Sequence, residues 1–413
     1  MAKKVNFASQ RLMGALIALQ LTSPFLFFSF LAILGREYEG KEGSSVYTLF
    51  LIVVNMLSIL VFLVNARRVH EIQTKFYWFV MLPIIMILFS FLAGPWNEFA
   101  ISQASLFVVL CLPAILSALM TVKFNLFSEI LSFLQISALI VSVSVVCILP
   151  ILMKSSVIDL MSIYGGGQYQ FLSYSCSFSF LVLLYSLLER ETRKKGIKSF
   201  IRLLVYYGSL LVLIGGIFLS GGRGGMLVAV CGSAVLIVRR RGFIFLLVYI
   251  IRGLFILTLL VLFFFKGIVD FERLIESSNR LFSFISNEGL DFSGSSNRDT
   301  FYLVALEYIG KKWFLGFGLF GISIHLGSYY PHNFFLEVML QFGIVGLTSV
   351  IVIILFYGRR LLRIIKKRTS KGLLILSSIY ILVLLMVSSS YLIEPMFWYT
   401  CASLSLLPVK DIT

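Results

Sequence analysis

Long apolar runs joined by short polar connectors dominate the pattern of the chain. A run of about 20 apolar residues crosses the hydrocarbon core of a bilayer as a helix. Twelve such runs can be drawn, at about 12–34, 46–64, 76–93, 99–119, 126–152, 171–188, 200–219, 224–238, 246–265, 334–357, 372–392 and 395–408. The pattern predicts an all-α polytopic membrane protein with about twelve transmembrane helices. The first run follows Lys3, Lys4 and Arg11, is too long for a signal-peptide core and has no small-x-small cleavage site after it, so it is read as a retained span. The eighth run is short and Arg252 stands near the start of the ninth. Residues 239–252 are therefore read as partly interfacial, their arginines reaching back to lipid phosphate.

One interruption is much longer than the rest. About 65 residues leave the apolar pattern before Phe334 resumes it, and so much polar backbone is tolerated only where water or protein satisfies it. The chain is thus read as a single integral membrane domain in three stretches: 1–265 with nine spans, a large loop at 266–333, and 334–413 with three spans. Within the loop, Phe271, Leu274, Ile275, Leu281, Phe282 and Ile285 suit one or two short amphipathic helices, and NEGLDFSGSSN after them is polar and irregular. A further helix is expected to open at Arg298–Asp299, capped by Ser295, Ser296 or Asn297. It aligns Tyr302, Ala305, Leu306 and Ile309 on one face and ends near Gly310. At about 13 residues it is too short to span, so it is expected to lie on the membrane surface, with Lys311, Lys312 and Trp313 at the interface. The glycine-spaced LGFGLFG and then GSYYPHN lead into the next span.

Composition agrees with the pattern. The 413 residues are 59% hydrophobic and 13% charged, far too little charge to cover a soluble protein of this size. The net charge of +16 could suggest a nucleic-acid partner, but its distribution points elsewhere. Counted on alternate sides of the spans, 25 of the 35 basic residues share the side of the N-terminus, and most of the other ten lie in the long loop. By the positive-inside rule both termini are cytoplasmic and the long loop is outside. The charge is a topology signal, and nucleic acid drops out as a partner. The five cysteines all sit in apolar segments without metal-ligand or disulfide spacing and read as small buried hydrophobes.

Candidate chemistry lies on the outer side. His70 stands beside Arg67 and Arg68 on the inner side, whereas His325 and His332 lie in the loop. His332, followed by Asn333 where the loop turns back to the membrane, can take a proton from an attacking hydroxyl. It can equally be a residue that starts the helix. Glu272, Asp299, Glu307 and Glu337 are alternative bases, although Asp299 also suits a charge partner for Arg298. Arg223, Arg298 and Arg280 are on the same side, and guanidinium groups grip two phosphate oxygens at once. Arg223 sits in the tight SGGRGG connector, against the topological bias, which suits either lipid phosphate or a substrate diphosphate. Gly165–Gly167 suits a sharp turn or a close backbone approach. No metal-binding spacing and no phosphate-binding P-loop is present, so no metal or cofactor is expected.

From about Ser220 to Gly346, the combination of SGGRGG, NR-x3-Y-x2-ALEYIG, GFGLFG and PHNFFLEVMLQFGIVG resembles the bacterial O-antigen ligase and polymerase superfamily. The resemblance implies a metal-independent glycosyltransferase of the bacterial inner membrane, with one large periplasmic loop and an undecaprenyl-diphosphate-linked saccharide as donor. It implies His332 as catalytic base or acceptor-orienting residue and Arg223 and Arg298, with Arg280, as diphosphate binders. Asn333, Asp299, Glu337 and His325 are expected in support. The expected activity is O-antigen polymerisation, in which a second lipid-linked repeat unit is the acceptor and a chain-length regulator is a candidate partner. The alternatives are ligation to the lipid A core, protein glycosylation on the same scaffold and, from a different class, a lipid-linked oligosaccharide flippase. A flippase would line a central cavity with charges, yet the charged residues within the predicted spans, Glu337 and Arg252 with Glu129 and Arg202, all lie near span ends.

Overall fold

The computed structural model describes residues 7–35, 40–69, 85, 97–154, 169–189, 197–245, 248, 285–286, 289–290, 298–326, 330–367 and 371–408. The predicted spans at 76–93 and 246–265, apart from residues 85 and 248, most of the predicted amphipathic stretch at 271–285, and Gly165–Gly167 fall outside them. The described chain is helical apart from one small hairpin, in which β1 (Ile285–Ser286) pairs antiparallel with β2 (Gly289–Leu290). Seven described helices are long and apolar enough to cross a membrane. These are α1 (Phe7–Ile33), α2 (Gly40–Val69), α3 (Glu98–Phe124), α4 (Phe127–Lys154), α5 (Tyr169–Glu189), α6 (Ile197–Ser220) and α10 (Phe334–Lys366). The remaining helices are α7 (Arg223–Arg241), α8 (Arg298–Lys311), α9 (Ser323–Leu326), α11 (Gly372–Val387) and α12 (Pro395–Leu406). The last two, at 16 and 12 residues, are shorter than the runs drawn from the sequence.

The chain forms two compact units, one of Met1–Leu21, Leu51–Ile130 and Phe284–Thr413, the other of Thr22–Phe50 and Leu131–Ser283. In the second unit α5 and α7 pack at very short range, and glycine makes this possible. A Cβ on Gly222 or Gly225 would lie within 2.3 Å of Ser173 atoms, and one on Gly232 within 2.4 Å of Leu181. Ser173 Oγ also donates to the Gly222 carbonyl at 2.8 Å. The glycines of SGGRGG are therefore both a turn, with Gly221 at φ +64°, and a packing surface of the kind that lets apolar helices associate without a hydrophobic drive. At the other end of α7, the buried Arg239 pairs with Glu189 at 2.7 Å, and Arg240 Nε donates to the Leu188 carbonyl at 3.0 Å.

In the first unit the interior is tied by polar side chains. Asn55 Oδ1 accepts from Gln20 Nε2 at 2.8 Å, Ser117 Oγ donates to Gln20 Oε1 at 2.5 Å, and Tyr399 OH donates to Thr121 Oγ1 at 3.1 Å. Buried Arg360 donates to the carbonyls of Leu404, Ser405 and Leu407, closing the C-terminus of α12 with a charged side chain. α3 carries a π-helical turn at Phe107–Cys111.

The element that most departs from the sequence pattern is α10. It is interrupted at Gly343, whose backbone is at φ 61° and ψ −156°. The orphaned peptide groups are satisfied by the segment after α8. Phe317 and Gly318 N–H donate to the carbonyls of Leu340 and Gln341 at 2.8 Å each. On the far side of the break, Ile344 and Val345 N–H donate to the carbonyls of Trp313 and Phe314 at 2.8 and 3.4 Å. Two glycines permit the interlock, since a Cβ on Gly343 would lie 2.3 Å from the Phe314 carbonyl oxygen and one on Gly316, at φ +68°, 2.5 Å from the Gln341 carbonyl carbon. α8 itself packs along the first turns of α10. Ala305 and Ile309 are buried with Ile322 and Leu340 and are flanked by Leu336 and Met339. The predicted helix at 298–310 is present, but its inward face is Ala305 and Ile309, while Leu306 is exposed.

Candidate functional site: the entry of α10

The start of α10 is built by three consecutive residues with different backbone demands. Asn333 is extended, at φ −150° and ψ 121°, and its Oδ1 accepts from the N–H groups of Phe335 at 3.0 Å and Leu336 at 3.2 Å. It is the helix cap, a role its side chain suits. His332, just before it, has φ +50°, and Pro331 precedes that. Positive φ is uncommon outside glycine, though histidine, asparagine and aspartate are enriched there. The half-buried imidazole is packed against the ring of Tyr330, centroids 4.3 Å apart, and against Phe301 at 5.8 Å.

Phe301 lies one turn into α8, so the helix start that carries Arg298 and Asp299 stands beside His332. That end of a helix carries its partial positive charge and favours anions. His325, by contrast, is exposed on the short α9 and packs on Tyr308 at 5.7 Å and Phe317 at 5.4 Å, a set of contacts separate from the one that holds His332. Further along α8, exposed Lys311 pairs with Glu307 at 2.7 Å and lies 4.0 Å over the Tyr308 ring. Arg223, in the other unit, is half-buried and is the first residue of α7, whose N-cap Gly222 offers no side-chain hydrogen bond. Arg280 lies outside the described residues.

Glu337, one turn inside α10, is 5% exposed. Ser390 Oγ donates to its Oε1 at 2.5 Å, and Gln341 Nε2 approaches the same oxygen at 3.4 Å, while Oε2 has no hydrogen-bond partner. Tyr391 OH donates in turn to Gln341 Oε1 at 2.5 Å. Ser390 and Tyr391 belong to the turn at 388–394 between α11 and α12, a participant the sequence did not reveal. Its only sign there is a run of three serines and a glutamate before Pro395 in an otherwise apolar stretch. Glu394, the residue before α12, accepts from Ser389 Oγ at 3.3 Å. Burial pushes its carboxyl up from an ordinary value of 4.5 to about 7, against the opposing pull of its hydrogen bonds.

A test follows from that shift. Between the ordinary value and pH 7 the folded state keeps a proton that the unfolded chain releases, so stability falls as pH rises through this window and levels off above it. Glu394→Gln removes the cost. The variant's melting temperature in detergent is expected to match the parent's below pH 4.5 and to exceed it increasingly up to pH 7. An offset independent of pH would refute the assignment.

Among the described residues no group of three His, Cys, Asp or Glu side chains gathers as a metal site. What the entry of α10 does gather is an imidazole at a capped helix start, a helix N-terminus beside it and a buried carboxylate one turn further in. Residues 208–351 match the family model described as O-antigen ligase. This match, over about a third of the chain, is a likeness of that segment to the O-antigen ligase family. The segment holds Arg223, Arg280, Arg298, Asp299, His325, His332, Asn333 and Glu337, whereas Ser390, Tyr391 and Glu394 lie beyond it. Members of the O-antigen ligase family are enzymes of the glycosyltransferase type. No curated protein and no solved structure matches the chain.

Proposed function

We propose that the protein is an O-antigen polymerase of the bacterial inner membrane, joining an undecaprenyl-diphosphate-linked glycan to the next lipid-linked repeat unit on the periplasmic face. The observation that carries this reading is the placement of His332 at the capped start of α10, beside the start of α8, within the segment that matches the O-antigen ligase family. In the reaction an acceptor hydroxyl attacks the anomeric carbon of the donor. The new glycosidic bond forms as the bond to the diphosphate breaks, His332 takes the hydroxyl proton, and undecaprenyl diphosphate departs. Arg298 and Arg223, with Arg280, neutralise the charge that grows on the diphosphate. Both substrates are tethered to the membrane, so holding them in register supplies much of the rate. The topology that goes with this reading has about twelve spans, both termini in the cytoplasm and residues 266–333 in the periplasm, and a chain-length regulator is the candidate protein partner.

The description of the matched family favours a second reading, ligation of finished glycan to the lipid A core. Gene deletion separates the two. Loss of a polymerase leaves core capped by a single repeat unit, whereas loss of a ligase leaves uncapped core, and an unchanged lipopolysaccharide ladder would reject both. The arginine assignment is tested apart from this. Arg223→Lys keeps the charge but loses the bidentate grip, and is expected to lower chain extension at least tenfold. Normal ladders would reduce Arg223 to a lipid contact.

A further inference from the structure

We propose that Glu337, with Gln341, Ser390 and Tyr391, forms a saccharide subsite in which Glu337 Oε2 accepts a hydrogen bond from a hydroxyl of the acceptor sugar. The assignment deepens the transferase reading and rests on it.

Three observations support it. The first is the state of the carboxylate. It is 5% exposed and no cation pairs with it among the described residues. The Ser390 hydroxyl and the Gln341 amide both meet Oε1, and the Tyr391 backbone N–H approaches the carboxyl, but Oε2 has no hydrogen bond of good geometry. A buried carboxyl oxygen without a full hydrogen bond is costly, and a ligand hydroxyl would supply one.

The second is its place in the fold. At 1.5 Å per residue, α11 rises about 24 Å and α12 about 18 Å, against roughly 30 Å of hydrocarbon. α12 is anchored through its last carbonyls to Arg360, in the cationic end of α10. Both helices are thus shorter than a full crossing, and the irregular backbone of the turn at 388–394 between them is satisfied by protein. Here Trp398 Nε1 donates to the Tyr391 carbonyl at 2.7 Å and Cys111 Sγ to that of Leu392 at 3.2 Å. Cys111 closes the π-helical turn of α3, and Gly343 breaks α10 two residues beyond Gln341. Two interruptions of helix and one irregular turn thus adjoin one cluster, an arrangement frequent at binding sites.

The third is chemical. A carboxylate, an amide and hydroxyls beside the rings of Phe334, Tyr391 and Phe397, whose centroids lie 5.6 to 6.2 Å apart, match the alternating polar edges and apolar faces of a sugar. His332 stands just before the cap of the helix that carries Glu337 in its first turn. An acceptor whose attacking hydroxyl meets His332 can thus offer another hydroxyl to Glu337.

The test uses the full chain in nanodiscs, with two probes: the host's undecaprenyl-diphosphate-linked repeat unit and undecaprenyl diphosphate without sugar. The parent is expected to gain thermal stability from the sugar-bearing lipid beyond that from the bare lipid. Glu337→Gln and, as a variant that keeps the carboxyl group but retracts it, Glu337→Asp are expected to lose that increment while keeping the response to the bare lipid. In transfer assays the acceptor KM is expected to rise at least tenfold in Glu337→Gln with kcat changed less than threefold, and the Asp variant to be intermediate. A retained increment in both variants overturns the proposal, as does a parent with no increment. Stabilisation by sodium over potassium without any sugar effect would assign the site to a cation and overturn it too. An increment lost on substitution in a protein that performs no transfer would keep the subsite and reject the transferase reading.

Discussion

Replacing His332 is expected to reduce saccharide transfer by at least a hundredfold while leaving the fold intact, provided the replacement tolerates the backbone. General acid–base catalysis contributes about 10²–10⁴ in rate, and the loss should fall in that range. The choice of substitution matters because φ is +50° at this position. Alanine there adds backbone strain, so a loss of activity in His332→Ala mixes chemistry with a displaced helix start. Asparagine is at ease with positive φ and has no titrating group in the physiological range. His332→Asn is therefore the decisive variant. The expected result is a melting temperature near the parent's and a lipopolysaccharide ladder collapsed to its shortest product. Full-length ladders from a folded His332→Asn protein would show that the imidazole is only a helix-start residue, held by Tyr330 and Phe301.

The second large effect is expected at Gly343. The conformation at φ 61° and ψ −156° is essentially confined to glycine, and another residue there costs on the order of 1–3 kcal/mol in backbone strain. A Cβ would in addition lie 2.3 Å from the Phe314 carbonyl oxygen, so the segment at 313–318 must withdraw and its hydrogen bonds to α10 open. Each buried peptide group left without a partner costs about 1–3 kcal/mol. Gly343→Ala is therefore expected to destabilise the protein by about 4 kcal/mol or more, read as the unfolding midpoint in detergent. Gly358→Ala, in the same helix, is the matched control. Its Cβ would meet nothing within 4 Å, so it should be neutral or slightly stabilising through better helix propensity. Equal effects at the two positions would mean that the break is not required.

The positions most legible in the sequence were those governed by a local rule. Hydropathy located the seven long helices, because burial in lipid demands an unbroken run of apolar side chains. The helix opening at Arg298 and the return of the chain at His332–Asn333 were also visible, since the onset of an apolar helical pattern is a short-range signal; the cap expected at Ser295, Ser296 or Asn297 lies outside the described residues. The break at Gly343 was not. Glycine is common in apolar helices, and nothing in QFGIVG distinguishes the residue with positive φ from Gly346, three positions later. What decides it is the approach of Gly316 and Phe314, which are distant in sequence. The same holds for Glu337 and Ser390, 53 residues apart, whose hydrogen bond no periodicity announces. The glycines of SGGRGG were read as a hairpin tip. Their second role, contact with Ser173 and Tyr174 of α5, depends on a partner helix some 50 residues earlier.

The interlock between α10 and the segment at 313–318 is made by peptide groups, with the side chains of Trp313, Phe314 and Leu315 turned outward. Its specificity therefore lies in two missing side chains, at Gly316 and Gly343, more than in any that are present. Positions 313–315 are accordingly the natural place for a spectroscopic reporter. A label there would sit directly on the joint of α10 and report its opening, while the bonds that hold the joint shut remain those of the unmodified backbone.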